Sequence, residues 1–226
     1  MPKNRGIGEA TAALVELFLP RPCAGCGGET SAGGVLCAAC QHHLRQIPRR
    51  VERPQPLGFP AWALGPYSDT RRGVIIAMKE RGHQAVRAHL GAVLAAGIDY
   101  LRARGDIPET ALLVPAPTRA SSARKRGGDP VAALCRAASA RLPGWDVVNA
   151  LMTAEGSADQ SQLNATERTD NMRSAVRLLP SARMLAGRSV LLVDDVITTG
   201  ATLRASAARV WAVGGDVAGA IALADA

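Results

Sequence analysis

The chain has 226 residues, of which 47% are hydrophobic, 20% are charged and 3% are aromatic. This composition is typical of a globular protein and excludes a disordered or collagen-like chain. No apolar run approaches the roughly 20 residues needed to cross a bilayer. The net charge of +8 favours an anionic partner such as nucleic acid, a phosphate ester or pyrophosphate, although a solvated basic surface gives the same excess.

The N-terminal segment, residues 7–19, is moderately apolar but is interrupted by Glu9 and Glu16 and is followed by no small-residue cleavage site. Its apolar positions fit a short amphipathic helix better than a signal peptide. We therefore expect a cytoplasmic protein with no membrane insertion, whose thiols are reduced.

Four of the five cysteines form two Cys-x-x-Cys pairs, Cys23/Cys26 and Cys37/Cys40. Each pair presents two sulfurs on one side of a tight turn, and four thiolates suit tetrahedral Zn²⁺. The spacing predicts a structural zinc knuckle, with two disulfides, an iron–sulfur cluster or a redox pair as alternatives. A reduced cytoplasm argues against disulfides, and nothing nearby suggests electron transfer. Cys135, in an apolar helical segment, is interpreted as a small core residue.

Beyond the cysteines, a Pro/Arg-rich linker is predicted, and then strands that alternate with helices. The linker covers residues 47–56, strands are expected at 61–67, 111–115, 145–151, 188–193 and 216–223, and helices at 70–79 (capped by Asp69), 84–104, 129–141 and 201–213. Short apolar strands between helices favour an α/β fold with a parallel sheet covered on both faces. The polar stretch between Thr153 and Asn171 is interpreted as an active-site flap. We expect an N-terminal module over residues 1–56 and an α/β domain over residues 57–226.

The most specific pattern is a strand, a pair of acids and a glycine-containing turn, Val-Leu-Leu-Val-Asp-Asp-Val-Ile-Thr-Thr-Gly-Ala-Thr-Leu at residues 190–203. The backbone N–H groups of such a turn, together with a helix N-terminus, form a seat for phosphate. Asp194 and Asp195 would repel that phosphate unless ribose hydroxyls or Mg²⁺ lie between them. The pattern therefore predicts a ligand with a vicinal diol, a phosphate and a metal ion, with a surface Asp-Asp turn as the alternative. No Gly-x-x-x-x-Gly-Lys-[Ser/Thr] motif is present, which argues against a P-loop NTPase.

Residues 190–202 resemble the phosphoribosyl pyrophosphate (PRPP) signature of the type I phosphoribosyltransferases. Together with the four cysteines, this makes the chain similar to the ComF family (competence protein F, or GntX-like). Further segments that resemble the family are the lysine-bearing stretch 77–83, the pyrophosphate-loop strand end at 114–117 and the flap motif at 160–171. Residues 126–130, Arg-Gly-Gly-Asp-Pro, depart from the family's Arg-Gly-Phe-Asn-Gln, which leaves its aromatic and amide side chains without a counterpart.

This resemblance implies a type I phosphoribosyltransferase fold with a small zinc-ribbon-like N-terminal module, and it implies roles for individual residues. Asp194 and Asp195 would engage the ribose hydroxyls, directly or through Mg²⁺, while Lys79 and Arg168 would contact the leaving pyrophosphate. The residues implied for PRPP or phosphate binding are Val196, Ile197, Thr198, Thr199, Gly200, Ala201, Thr202, Pro115, Ala116 and Arg126. The nearby basic residues Arg119, Arg124 and Lys125 fit either the pyrophosphate site or a solvated charge run.

Two classes of function follow, together with a third that combines them. The first is a phosphoribosyltransferase that binds Mg–PRPP or a ribose 5-phosphate nucleotide and acts on an unidentified acceptor. Its transition state would resemble an oxocarbenium ion, and catalysis would rest on positioning, charge neutralisation and exclusion of water. The alternative is a non-catalytic factor of DNA uptake that binds single-stranded DNA beside a helicase. The third is a transferase fold that has lost catalysis, senses PRPP or a nucleotide and carries a protein-binding zinc knuckle.

Overall fold

The structure is a computed structural model that describes residues 22–31, 33–53, 55–80, 84–117, 128–153 and 176–226. The predicted amphipathic segment 7–19 and nearly all of the predicted flap lie outside these ranges. The elements, in chain order, are α1 (Ala38–Leu44), β1 (Arg49–Arg50), β2 (Ala61–Ala63), α2 (Asp69–Lys79), α3 (Gln84–Ala103), β3 (Leu112–Pro115), α4 (Pro130–Ser139), β4 (Leu151–Thr153), β5 (Val176–Leu178), a 3₁₀-helix (Pro180–Leu185), β6 (Ser189–Ile197), α5 (Ala201–Ala212) and β7 (Asp216–Asp225).

Five strands form the main sheet in the order β1-β2-β7-β6-β3. Strands β2, β7, β6 and β3 run parallel to one another, and β1 pairs antiparallel with β2 at one edge. The four parallel strands therefore end at the same edge of the sheet. In open α/β sheets, ligands bind beyond this carboxyl edge.

The alternation of side chains along β6 separates two hydrophobic cores. Leu191 packs into the core beneath α2, α3 and α4, whereas Leu192 packs into the core beneath α5 and the 3₁₀-helix. All four residues of β3 are buried, as expected for a parallel strand covered on both faces. Among the described residues, no helix has the length and apolarity needed to span a membrane.

Several element boundaries differ from the sequence-based expectation. The predicted strand at 145–151 contributes only an isolated bridge from Val147 to Leu113, and its last residue begins β4, which pairs antiparallel with β5 outside the main sheet. The predicted linker contains β1, whose backbone pairs with β2. Helix α2 is capped by Ser68, whose hydroxyl accepts from the backbone N–H of Arg71 at 3.3 Å. The prediction that Asp69 caps this helix is wrong because Asp69 is its first helical residue.

Arg71 ties α2 to the sheet and to the N-terminal module. Its side chain is only 1% exposed, and its guanidinium donates to the backbone carbonyls of Leu64, Leu223 and His43 and to the side chain of Gln46. Burial, followed by the nearby charge of Arg49, lowers its pKa to about 10. Burying this cation costs desolvation energy, which its hydrogen bonds to carbonyl oxygens offset. Removal of the guanidinium would leave several buried acceptors without a donor.

We predict that Arg71→Met lowers the free energy of unfolding by about 2–4 kcal/mol, because the buried carbonyls lose their shared donor. Urea denaturation followed by circular dichroism measures this change. Arg72→Met, at an exposed position of the same helix, is the matched control and should change stability by no more than about 0.5 kcal/mol. Equal effects of the two substitutions would contradict the anchoring role.

Candidate active site and metal centre

The acidic pair lies within the last part of β6, since the strand continues through both carboxylates to Ile197. Asp194 is paired with Ala222 of β7, and Ile197 with Asp225. The sequence placed the end of the strand at Val193, four residues earlier. The ladder with β7 therefore fixes the backbone of both acids, and the turn begins at Thr198.

Asp195 forms an ion pair with Lys79, the last residue of α2. The distance between Lys79 Nζ and Asp195 Oδ2 is 2.5 Å, and the two side chains are 33% and 18% exposed. The family resemblance of residues 77–83 predicted Lys79 as a site residue, although it lies more than a hundred residues before the acidic pair in sequence. The structure brings it directly to the acidic pair, in a position still open enough for a ligand to reach its ammonium.

Asp194 has the most strongly perturbed carboxyl of the site. Burial, followed by the charge of Asp195, raises its pKa to about 7, while the N–H of Asp195 and the charge of Lys79 act in the opposite direction. The N–H of Asp195 donates to Asp194 Oδ1 at 2.8 Å. A cation or a hydroxyl donor next to Asp194 would favour its ionised form, so the geometry suits the diol or metal ion predicted from the sequence.

The turn after β6 leads directly into the N-terminus of α5. Gly200 is the N-cap residue with φ 73°, a left-handed conformation that favours glycine. A Cβ at this position would also lie 2.5 Å from Leu57 Cδ2. Thr198 and Thr199 are exposed, and the Thr199 hydroxyl accepts from the N–H of Ala201 at 3.3 Å. An exposed turn at the positive end of a twelve-residue helix is a favourable place for a phosphate.

Two arginines missed in the sequence analysis lie at this turn. Arg53 donates to the carbonyl oxygen of Ile197 at 2.7 Å, and Arg204 donates to that of Thr199 at 3.1 Å. Arg204 also reaches the carbonyl oxygen of Gln55 at 3.5 Å. Arg53 was part of the predicted linker, and the Pro/Arg-rich composition of that stretch was the only signal pointing to it. The two guanidinium groups add positive charge beside the turn.

Pro115 and Ala116 lie next to the acidic pair at the end of β3. Pro115 is paired with Val193 in the parallel ladder, and the N–H of Ala116 donates to the Val193 carbonyl at 2.7 Å. Ala116 therefore lies beside Asp194, the first residue of the acidic pair. Other predicted site residues, Arg119, Arg124, Lys125, Arg126 and Arg168, lie outside the described residues.

Asp129 explains part of the sequence departure at residues 126–130. Its carboxylate caps α4 by accepting from the N–H groups of Val131 and Ala132 at 2.8 and 3.0 Å. Pro130 occupies the first turn of that helix, where a missing N–H costs nothing. The Asp-Pro pair therefore starts a helix in this chain.

The four cysteines lie together as the spacing predicted. The Sγ atoms of Cys23, Cys26, Cys37 and Cys40 all lie within 4.8 Å of one another, and those of Cys26 and Cys37 are 3.8 Å apart. A tetrahedral site with Zn–S bonds of ~2.3 Å requires sulfur–sulfur separations of about 3.8 Å. All five cysteines of the chain are free thiols, so the four sulfurs form a donor set that fits a metal ion.

Local hydrogen bonds prepare this cluster for anionic sulfur. The N–H groups of Gly25 and Cys37 donate to Cys23 Sγ at 3.4 and 3.3 Å. Burial acts against ionisation of Cys23, but donors from Cys37, Cys26 and Gly25 outweigh it and lower its pKa to about 6. Burial, followed by the neighbouring sulfurs, raises the pKa of Cys40. Thiolates crowded in this way are neutralised by a bound cation.

The C-terminal part of the chain is similar to a known protein family. Residues 130–226 match the phosphoribosyl transferase domain. No curated protein matches the chain. The adenine phosphoribosyltransferase from Rhodothermus marinus DSM 4252 is a similar solved structure, with 19% identity, coverage of 81% of this chain and 84% of that chain, and a TM-score of 0.35.

The expected fold class is confirmed. The phosphoribosyltransferase domain match includes β6, its turn, α5 and β7, and the strands form a mostly parallel sheet covered by helices. The N-terminal four-cysteine module is present as a cluster of metal-ligating groups. The acidic pair and the threonine turn therefore lie inside the matched phosphoribosyltransferase domain.

We predict that Asp194→Asn stabilises the protein at alkaline pH. A carboxyl with a raised pKa favours folding while it is protonated, so the wild-type protein loses stability as the pH rises from about 4 through 7. The variant should melt at least ~2–4 °C above wild type at pH 8, and the difference should shrink towards pH 4.

Thermal unfolding at several pH values measures this difference. Asp216→Asn, at an exposed position at the start of β7, controls for the general loss of a negative charge. A constant difference between Asp194→Asn and wild type at all pH values would contradict the raised pKa.

Proposed function

We propose that this protein binds Mg–PRPP and transfers its phosphoribosyl group to an acceptor nucleophile. The observation that carries the proposal is the continuous placement, on β6 and its turn, of two carboxylates followed by an open helix N-terminus. The carboxylates suit ribose hydroxyls, and the helix N-terminus suits a phosphate. A ribose 5-phosphate carries hydroxyls and a phosphate in one small molecule, which suits two features that follow one another on β6 and its turn.

The 5-phosphate would lie on the turn that runs from Thr198 to Thr202. Backbone N–H groups at the start of α5 and the exposed threonine hydroxyls supply donors there. Arg53 and Arg204, which border the turn through their bonds to Ile197 and Thr199, lower the cost of bringing a dianion to it. The side chains that hold the phosphate would thus come from two parts of the chain.

The pyrophosphate would lie between the end of β3 and the end of α2. Pro115 and Ala116 border this region on one side through their pairing with Val193, and Lys79 borders it on the other through its ion pair with Asp195. The ammonium of Lys79 can neutralise charge on a departing pyrophosphate, which is the main electrostatic requirement of this reaction. Arg126 and Arg168 are proposed as further pyrophosphate contacts.

Catalysis would rest on positioning and charge, with no dedicated general base among these residues. The carboxylates orient the ribose and stabilise positive charge that develops at its anomeric carbon, while Lys79 holds the leaving group. Mg²⁺ bound with the substrate would supply further neutralisation of the pyrophosphate. The perturbed pKa of Asp194 makes ligand binding tighter as the pH rises past neutrality, because hydroxyl donors and cations favour its ionised form.

The four-cysteine cluster is proposed to hold a structural Zn²⁺. With four sulfur ligands the ion would have no open position and no part in the transfer chemistry. The combination of this module, over about residues 1–56, with a phosphoribosyltransferase domain over residues 57–226 supports placement in the ComF family. A cytoplasmic location is proposed because a reducing compartment keeps the four cysteines available to a metal ion. Binding of single-stranded DNA is the competing hypothesis that the first experiment below distinguishes.

We predict that calorimetry detects saturable binding of PRPP that requires Mg²⁺, and that Asp194→Ala/Asp195→Ala weakens it by at least ~100-fold. Each charged acceptor lost is worth about 1.5–3 kcal/mol. Asp216→Ala should bind as wild type does. Salt-sensitive binding of single-stranded DNA that is indifferent to the acidic pair, without any binding of PRPP, would favour the DNA-binding function instead.

We predict that protein purified without chelators contains one zinc ion per chain, and that Cys26→Ser loses most of it because three thiolates hold the ion less tightly. Elemental analysis of the purified protein measures the ratio. Cys135→Ala, in the buried part of α4, is the matched control and should keep its zinc. Wild-type protein that contains iron instead of zinc, or that contains no metal, would contradict the proposed zinc site.

A further inference from the structure

We infer that the four-cysteine module positions Lys79 at the acidic pair, so that metal binding in the module tightens ligand binding at the candidate active site. Helix α2 connects the two sites, with the module packed on its first half and Lys79 at its last residue. The positional part of this inference stands on the structure alone, and its consequence for the ligand rests on the proposed function.

The backbone of the module approaches α2 closely at Gly73. A Cβ at this position would collide with the backbone carbonyl oxygens of Ala24 and Gly25, which belong to the turn between Cys23 and Cys26. The turn and the helix can approach this closely only because residue 73 has no side chain. The backbone of the metal-binding turn therefore rests directly on α2.

Further contacts hold the start of α2 to the module. The side chain of Cys40 lies 4.0 Å from the hydroxyl of Thr70, and His43 Nε2 is 2.9 Å from the hydroxyl of Ser68. Ser68 is the N-cap of α2, and His43 lies in α1, the helix that also carries Cys40. Arg71 adds a hydrogen bond to the carbonyl oxygen of His43. The metal-binding module thus contributes to the cap and the first two turns of the helix.

The far end of α2 carries the group that acts at the site. Lys79 is six residues beyond Gly73, which corresponds to ~9 Å along a helix, and its ammonium lies 2.5 Å from Asp195 Oδ2. Both points belong to one continuous helix, Asp69–Lys79, whose backbone hydrogen bonds join them. A change at the module contact is therefore passed to Lys79 as a shift of the whole helix.

Lys79 also has an electrostatic part in the site. Its ammonium offsets the charge of the acidic pair, which would otherwise repel the phosphates of a ligand. Four crowded cysteine sulfurs without a cation would not keep the turn at Ala24 and Gly25 in place. Loss of the metal would then move α2, weaken the ion pair of Lys79 and raise the repulsion that a phosphorylated ligand meets.

A readout that needs no ligand is the NMR signal of dimethylated lysine. The lysines of the chain are Lys3, Lys79 and Lys125, so reductive ¹³C-methylation gives few signals, and Lys79→Arg assigns one of them. In zinc-loaded protein the Lys79 signal should differ from its position in Asp195→Asn, which breaks the ion pair. Removal of zinc, or Gly73→Ala with zinc retained, should move the signal towards the Asp195→Asn position.

Gly28→Ala is the matched control, since a Cβ there would meet only Cys26 Sγ at 3.4 Å, which is ordinary contact. It should leave the Lys79 signal unchanged. A Lys79 signal that stays in place both on zinc removal and in Gly73→Ala would overturn the inference. If metal removal unfolds the chain, the position of the Lys79 signal in the zinc-loaded Gly73→Ala variant is the test of the inference.

A second experiment measures the affinity for Mg–PRPP in the same proteins. Removal of zinc, and Gly73→Ala, should each weaken binding by about 5-fold or more, within the usual range of coupling between sites, and reloading with zinc should reverse the first effect. In a Lys79→Met background neither change should weaken binding further. An equal further loss in that background would overturn the inference, because general destabilisation would then explain it.

The NMR measurement and the affinity measurement distinguish a failure of this inference from a failure of the proposed function. Wild-type protein that fails to bind Mg–PRPP but shows the expected shift of the Lys79 signal contradicts the proposed function alone. Protein that binds Mg–PRPP while its Lys79 signal ignores both the metal and Gly73→Ala contradicts the inference alone.

Discussion

The cost of holding two neighbouring carboxylates at the end of a buried strand, away from water and close to each other, is the constraint on which the candidate site depends. The β6–β7 ladder fixes the backbone of Asp194 and Asp195, so the two carboxylates stay neighbours at the end of the strand. Lys79 offsets part of this cost through its contact with Asp195. Burial, followed by the charge of Asp195, raises the pKa of Asp194, and a ligand with hydroxyl donors or a bound cation favours its ionised form.

The rest of the fold holds the groups that surround this pair. The parallel sheet brings the end of β3 level with β6, and the left-handed Gly200 starts α5 immediately after the strand. On the other side, Arg71 anchors α2 to carbonyl oxygens of the sheet and of α1. The same helix therefore contacts the four-cysteine module at its start and the acidic pair at its end, which links a structural metal centre with a ligand site.

Local patterns predicted the features that depend on residues close together in sequence. The strand, acidic pair, glycine turn and helix at residues 190–203 are encoded contiguously, and two Cys-x-x-Cys pairs place four sulfurs by turn geometry alone. Helix α4 was also predictable, because Asp129 and Pro130 are strong start signals. The alternation of strands and helices predicted an α/β fold with a parallel sheet, and the resemblance of residues 190–202 to the PRPP signature implied the type I phosphoribosyltransferase fold.

Features created by tertiary contacts were not predictable in this way. Arg53 reaches Ile197 across 144 positions of sequence, and nothing in a Pro/Arg-rich stretch specifies that partner. Strand β4 was misplaced because its partner, β5, is separated from it by a long polar segment. The cap of α2 was assigned to Asp69 because Ser68 and Asp69 are equally good N-cap residues, and only the hydrogen bond of Ser68 to Arg71 decides between them.

A crystal structure of the protein with Mg²⁺ and PRPP tests the central claim most directly. The account predicts the ribose hydroxyls at Asp194 and Asp195, the 5-phosphate on the turn at Thr198–Thr202, and the Lys79 ammonium directed towards the pyrophosphate. Density for PRPP elsewhere on the protein, with the acidic pair and the turn unchanged, would contradict it.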